Sequence, residues 1–139
     1  MGKSHRPERL AEEIRKIISE MLVRGDLKDP RFSLGMTGIS GVDVTRDGSY
    51  AYVYITCLSY SGKTVSEEDK KGILAAFERS QGYIRSVIGK AVKVRYVPAL
   101  VFRFDESFEY GAKMDRILDG IRENDEQVVA DNSADSEIQ

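Results

Sequence analysis

Residues 66–104 read SEEDKKGILAAFERSQGYIRSVIGKAVKVRYVPALVFRF, and this stretch decides the fold. Ile73, Phe77, Ile84 and Ile88 stay nearly in phase at about 100° per residue, so one apolar stripe runs through the first part. Ser66 precedes Glu67, Glu68 and Asp69, an N-cap followed by acids that suit the positive end of a helix dipole. Ser80-Gln81-Gly82 interrupts the helical pattern. We expect a kink there rather than a loop, with two half-helices burying one continuous face, because glycine eases a bend at a cost in helix stability. From Val92 to Phe104 the period changes to two. Val92, Val94, Tyr96, Leu100, Phe102 and Phe104 alternate with Lys93, Arg95 and Arg103, which predicts a third strand over 92–104. Pro98 has no N–H for a ladder, so this strand lies at an edge or its pairing breaks there.

The same stretch is charged in one sense. Between Arg79 and Arg103 it holds Arg79, Arg85, Lys90, Lys93, Arg95 and Arg103 without a single Asp or Glu. The whole chain of 139 residues carries −2. That total hides a division: residues 123–139 contain six acids and no base, which leaves residues 1–122 at +4. Where charge sits matters more for binding than the sum. Arginine offers a planar fork to phosphate oxygens and lysine a mobile point charge. We therefore expect this segment to lie against the phosphate backbone of a structured RNA. Arg79 and Lys90 project opposite the apolar stripe and Arg85 flanks it. The start of the second half-helix, near Gly82 and Tyr83, is expected to add free N–H groups for a phosphate.

Upstream, Leu10, Ile14, Ile17, Ile18, Met21 and Leu22 form one stripe of a helix over 7–24, with Pro7 in its first turn and Gly25 as its stop. Asp29-Pro30-Arg31 makes a turn. Residues 36–45 read as a strand in which Ile39 is out of phase with Val42 and Val44, so a bulge is expected at Gly41. Asp47-Gly48 signals a hairpin. The next strand sets Ala51, Val53, Ile55 and Cys57 on one face and Tyr50, Tyr52, Tyr54 and Thr56 on the other, the tyrosines at or near solvent. Downstream, Asp105 or Ser107 caps a last helix carrying Met114, Ile117, Leu118 and Ile121. The order predicts an α+β domain with a three-stranded mixed sheet and its helices packed on one face. We expect the domain to span residues 1–122, with 123–139 as an acidic disordered tail.

Several classes of function find no footing. No apolar run approaches a membrane span and no signal-peptide core is present, so a cytoplasmic protein without a membrane partner is expected. Cys57 alone forms no intramolecular disulfide and no cysteine-rich zinc site, and it alternates with core residues. His5 has no partner in view. With no nucleophile–base pair, P-loop, dinucleotide fingerprint or metal-ligand cluster, we expect no enzyme, no cofactor, no metal and no small-molecule substrate. The tyrosine face has two readings, a half-exposed strand surface or a platform for bases.

The element order is similar to that of a type II KH domain, and the residues resemble the ribosome-binding factor A family. The matching pieces span most of residues 6–118: Arg6 and Arg9, Asp29-Pro30-Arg31, Val42-Asp43-Val44-Thr45-Arg46-Asp47, Ala51-Tyr52-Val53-Tyr54, Gly82-Tyr83-Ile84-Arg85, Gly89-Lys90, Arg95-Tyr96-Val97-Pro98-Ala99-Leu100 and Asp105-Glu106-Ser107. The resemblance implies an assembly factor that binds the free small ribosomal subunit. It further implies assistance to late maturation and 5′-end processing of 16S rRNA, and support of growth in the cold. In this family an Ala-x-Gly kink replaces the KH Gly-x-x-Gly loop; here serine stands in the alanine's place. The strings Gly35-Met36-Thr37-Gly38 and Gly38-Ile39-Ser40-Gly41 enter a strand rather than a helix–helix junction, so neither is a phosphate clamp. The expected RNA-binding residues are Arg79, Ser80, Gly82, Arg85, Lys90, Lys93, Arg95 and Arg103, with Lys3, Arg6 and Arg9 as an extension. A monomer is expected. Two rival readings stand beside this one: an RNA-binding or ribosome-associated module of the same fold with another target, and a protein adaptor using the tyrosine face.

Overall fold

Helix α1 covers Gly2–Arg24 in the computed structural model, which describes residues 2–107. Its stripe is the expected one: Ile14, Ile18 and Met21 are fully buried, with Leu10, Ile17 and Leu22 packed beside them. The helix starts before Pro7 rather than at it. A proline inside a helix withholds one backbone hydrogen bond, but the first core residue is Ala11, so the loss falls outside the packed turns. Gly25 ends the helix with φ of 74°. Its N–H donates to the Leu22 carbonyl at 3.2 Å and that of Asp26 to Met21 at 2.9 Å, the paired bonds of a left-handed glycine cap.

Asp29 then caps a 3-10 turn over Pro30–Ser33. Its carboxylate accepts the Arg31 backbone N–H at 2.9 Å and the Arg31 guanidinium at 3.0 and 2.6 Å. The turn delivers Phe32 to the core. There Phe77 stands between Phe32, edge-on at 4.7 Å, and Phe102, stacked at 5.0 Å.

Strand β1 (Met36–Val44) pairs antiparallel with β2 (Tyr50–Leu58), which pairs parallel with β3 (Ala99–Phe104). The sheet is thus mixed, in the order β1-β2-β3. The bulge falls between Ile39 and Gly41 and leaves Ser40 as the extra residue, one position before the glycine expected to carry it. It brings Ile39, Val42 and Val44 against one core despite their phase difference. At the hairpin tip Gly48 has φ of 76°. Asp47 holds the tip by accepting from the Thr45 hydroxyl at 2.9 Å, the Ser49 N–H at 3.1 Å and the Ser49 hydroxyl at 2.7 Å. In β2, Ala51, Val53, Ile55 and Cys57 are buried as the alternation requires. Burial pushes the Cys57 thiol above its usual range.

Helix α2 spans Glu67–Ala91, with the Ser66 hydroxyl accepting the Asp69 N–H at 3.1 Å. Ile73, Phe77, Ile84 and Ile88 are all fully buried. Residues 80–82 are helical throughout, so the two halves join without a loop. The N–H groups near Gly82 and Tyr83 lie in the middle of this helix rather than at a free start, which corrects the expectation of an N-terminal phosphate site there.

The third strand is shorter than the alternation suggested. Ala99 pairs with Tyr50, the first residue of β2, so residues 92–97 have no neighbouring strand to join. They form an irregular connection instead. Val92 and Val97 still pack against the core and Val94 is half-buried, but Tyr96 is 73% exposed, where the strand reading placed it among the apolar residues. Residues 2–105 form one compact unit with both helices on the Val53 face of the sheet. The last helix and acidic tail proposed from sequence lie outside the described residues, except that Glu106 and Ser107 are helical.

Candidate nucleic-acid interface

Two hydrogen-bonded side chains of α2 fix the connection ahead of β3. Arg85 donates from Nε to the Pro98 carbonyl at 3.1 Å and from Nη2 to the Val97 carbonyl at 2.6 Å. Gln81 accepts the Leu100 N–H through Oε1 at 3.0 Å. The Ala99 N–H bonds across to Ser49 on β2's side, so alternation turns the Leu100 N–H to the outer edge of β3, where Gln81 satisfies it. Arg85 was expected to meet RNA. The structure engages its guanidinium in holding the chain just after Tyr96.

That chain closes one wall of an open cleft of about 800 Å³. The second wall is the N-terminal part of α1, and the third is the β1–β2 hairpin tip. Arg6 and Arg9 come from α1, Arg46 from the hairpin, and Lys93 and Arg95 from the connection. All five are exposed. None has a carboxylate within ion-pair distance among the described residues. Two acids, Glu13 and Asp47, also line the cleft. Asp47 is already engaged: its hydrogen bonds from Ser49 and Thr45 hold its carboxyl below the usual carboxylate range. The floor is apolar, formed by Pro7, Leu10, Val44, Val92 and Val94. A basic rim over an apolar floor suits an anion that carries a flat, apolar face.

The other sequence-predicted bases lie elsewhere. Arg79 is exposed on α2 and close enough to Asp29 to help hold its carboxyl below the usual carboxylate range. Lys90 is exposed in the last turn of α2, a few residues before the cleft wall. Ser80 is half-buried and Gly82 exposed, and neither lines the cleft. Arg103 points from the opposite face of the sheet, its guanidinium 5.3 Å from the centre of the Tyr52 ring. Lys3 falls within α1, among residues whose side chains are not described.

Two residues were missed. Arg46 stood only within the string 42–47, although a base beside Asp47-Gly48 at a hairpin tip must face solvent. Tyr96 was misplaced by extending the two-residue period through Pro98. Among the described residues, no three His, Cys, Asp or Glu side chains gather as a metal site, and no helix is long and apolar enough to cross a membrane.

An α+β domain with KH-like order, helices on one face of a three-stranded mixed sheet and a basic cleft beside it, defines the class. The ribosome-binding factor A family profile matches residues 6–118, and the chain belongs to that family. It is 38% identical to ribosome-binding factor A of Clostridioides difficile over 135 residues, covering 97% of this chain and 99% of the relative. The crystal structure of the Thermus thermophilus factor is 25% identical, covers 70% of this chain and 93% of that one, and superposes with a TM-score of 0.54. Coordinates of the Thermus thermophilus factor fitted into a cryo-EM map of a 30S complex share the fold, at 23% identity over 69% of this chain and 91% of that one, with a TM-score of 0.53.

Proposed function

We propose that this protein is a small-subunit assembly factor: it binds the free 30S ribosomal subunit through its rRNA and assists late maturation and 5′-end processing of 16S rRNA. The observation that carries the reading is the cleft in which three separate segments present Arg6, Arg9, Arg46, Lys93 and Arg95, none of them ion-paired among the described residues. Phosphate contacts supply most sequence-independent affinity for nucleic acid, and such bases need no chemistry beyond charge and hydrogen bonding. Lys90 extends this surface along α2, while Arg79 and Arg103 offer separate contacts to an irregular RNA. The role is non-enzymatic and needs no cofactor. The protein acts as a cytoplasmic monomer and supports growth in the cold. Residues 1–122 are the RNA-binding domain and 123–139 an acidic appendage.

Co-sedimentation with ribosomal particles at low and moderate salt tests this. Association with free small subunits, with little on intact ribosomes, is the expected result. Equal association with every particle, erased by modest salt, would leave only a basic surface.

A further inference from the structure

The cleft differs from a simple phosphate patch in its floor and in Tyr96. Pure phosphate recognition needs charge and N–H donors; it gains nothing from Pro7, Leu10, Val44, Val92 and Val94 beneath the charges. Tyr96 stands at the mouth, 73% exposed, with the Arg95 guanidinium 5.8 Å from its ring centre. A tyrosine so exposed contributes little to the core, and its ring is accessible to a base. Aromatic faces beside basic grooves are how proteins hold unpaired strands, whose bases are free to stack. A duplex keeps its bases stacked on one another, so it can offer this cleft its backbone but no base face.

We infer that the cleft holds a single-stranded segment of RNA, with phosphates on the rim formed by Arg6, Arg9, Arg46, Lys93 and Arg95 and one base stacked on Tyr96. This rests on the RNA-binding reading above and narrows it to an unpaired strand. Its place is set by the α1 end, the hairpin tip and residues 92–96; Ser80, Gln81 and Gly82 take no part in it. Arg46 becomes a binding residue that the linear run of bases between 79 and 103 did not contain. Asp47 becomes a positioning residue, because its three hydrogen bonds shape the tip that carries Arg46.

The test is binding of the full chain to a labelled oligouridine and to an RNA duplex of equal phosphate number, by anisotropy across a salt series. The single strand should bind more tightly. Tyr96→Ala should weaken it about 5- to 150-fold, the range for losing one stacked base, and Tyr96→Phe should restore most of that. Arg46→Ala should shallow the salt slope by about 0.7, one phosphate contact of a single strand, whereas Tyr96→Ala should leave the slope unchanged. Lys28→Ala, a base beyond the far end of α1, is the charge control and should bind as the parent does. Equal binding of duplex and single strand, an unchanged Tyr96→Ala, or a Lys28→Ala loss matching that of Arg46→Ala each overturns the inference. Co-sedimentation separates the two levels. If the parent chain reaches the small subunit while the oligonucleotide results fail, the assembly reading stands and the single-strand cleft does not; if the parent chain does not reach the subunit, the assembly reading itself falls.

Discussion

The guanidinium of Arg85 donates to the carbonyl of Val97 at 2.6 Å and to that of Pro98 at 3.1 Å, tying the middle of α2 to the backbone immediately before β3. Residues 92–97 have no strand partner, so this fork is the main polar restraint on the cleft wall that carries Lys93, Arg95 and Tyr96. Replacing Arg85 by Met removes both bonds and leaves two carbonyls short of donors. We expect a loss of about 1–3 kcal/mol in unfolding free energy, read by urea titration. RNA affinity should fall as well, yet the salt slope should not change, because no phosphate contact is removed. Arg85→Lys should rescue little, since an ammonium has no planar fork to span two carbonyls. A shallower slope in Arg85→Met would instead make Arg85 a phosphate ligand.

Gly82 lies inside α2, and a Cβ added there meets nothing within 4 Å. Its backbone is helical, so alanine is sterically free. Gly82→Ala should then stabilise the fold by about 0.4–1 kcal/mol by restricting the unfolded chain. Thermal unfolding measures it, with a rise of a few degrees expected for a domain near 100 residues. If the bound state needs a bend at 80–82, the same variant should bind the small subunit more weakly while melting higher. Opposite movement of stability and affinity would mark a bend used only on the RNA.

Much of this architecture is legible in the sequence where the cause is local. Ser66 and Gly25 mark helix ends through hydrogen bonds within a few residues, and the β2 alternation needs only its own period of two. The out-of-phase Ile39 betrays a bulge within one residue of its place. What escaped depends on distant partners. The alternation of Val92, Val94 and Tyr96 is a real pattern, but a strand also needs a neighbour, and β2 starts only at Tyr50 opposite Ala99. Hence Tyr96 is exposed rather than buried. The hydrogen bonds of Arg85 and the place of Arg46 in the cleft escaped for the same reason: the run 79–103 gathers bases along the chain, whereas the cleft gathers them across three elements. Likewise, Arg79 and Arg103 are neighbours of the site in composition but not in space.

Asp29 supplies a pH dependence with a defined sign. The side-chain hydrogen bonds of Arg31 come first, then its backbone N–H, and together they lower the Asp29 carboxyl from 3.8 to about 2. Between those values the unfolded chain binds more protons than the folded one, so stability rises with pH. The contribution is therefore fully present above the unfolded value near 4 and disappears as pH falls through about 2. Asp29→Asn should be less stable than the parent at pH 7, and the gap should shrink as pH falls from 5 toward 2. A gap independent of pH would mean that the cap geometry, not the charge, supplies the effect. Because the Asp29–Arg31 pair is part-buried, added salt should narrow the gap at neutral pH only in part.

The six acids of residues 123–139 have the sign, and more than the number, needed to oppose the five bases of the cleft. Covalent linkage raises the effective concentration of an acidic segment at a basic site of the same chain, and competition with RNA is the expected consequence. Such competition is electrostatic and screened over about 10 Å at 0.1 M salt. Truncation after Glu123 removes five of the acids. At low salt it should tighten RNA binding by about 1.5- to 5-fold, the scale of exposed ion pairs at about 0.2–1 kcal/mol. At moderate salt the parent and truncated chains should converge. The comparison with Arg46→Ala sharpens the point: if the tail competes at the cleft, truncation should help that variant less than the parent. Equal affinity of parent and truncated chains at low salt would end the idea and leave the tail a solubilising appendage.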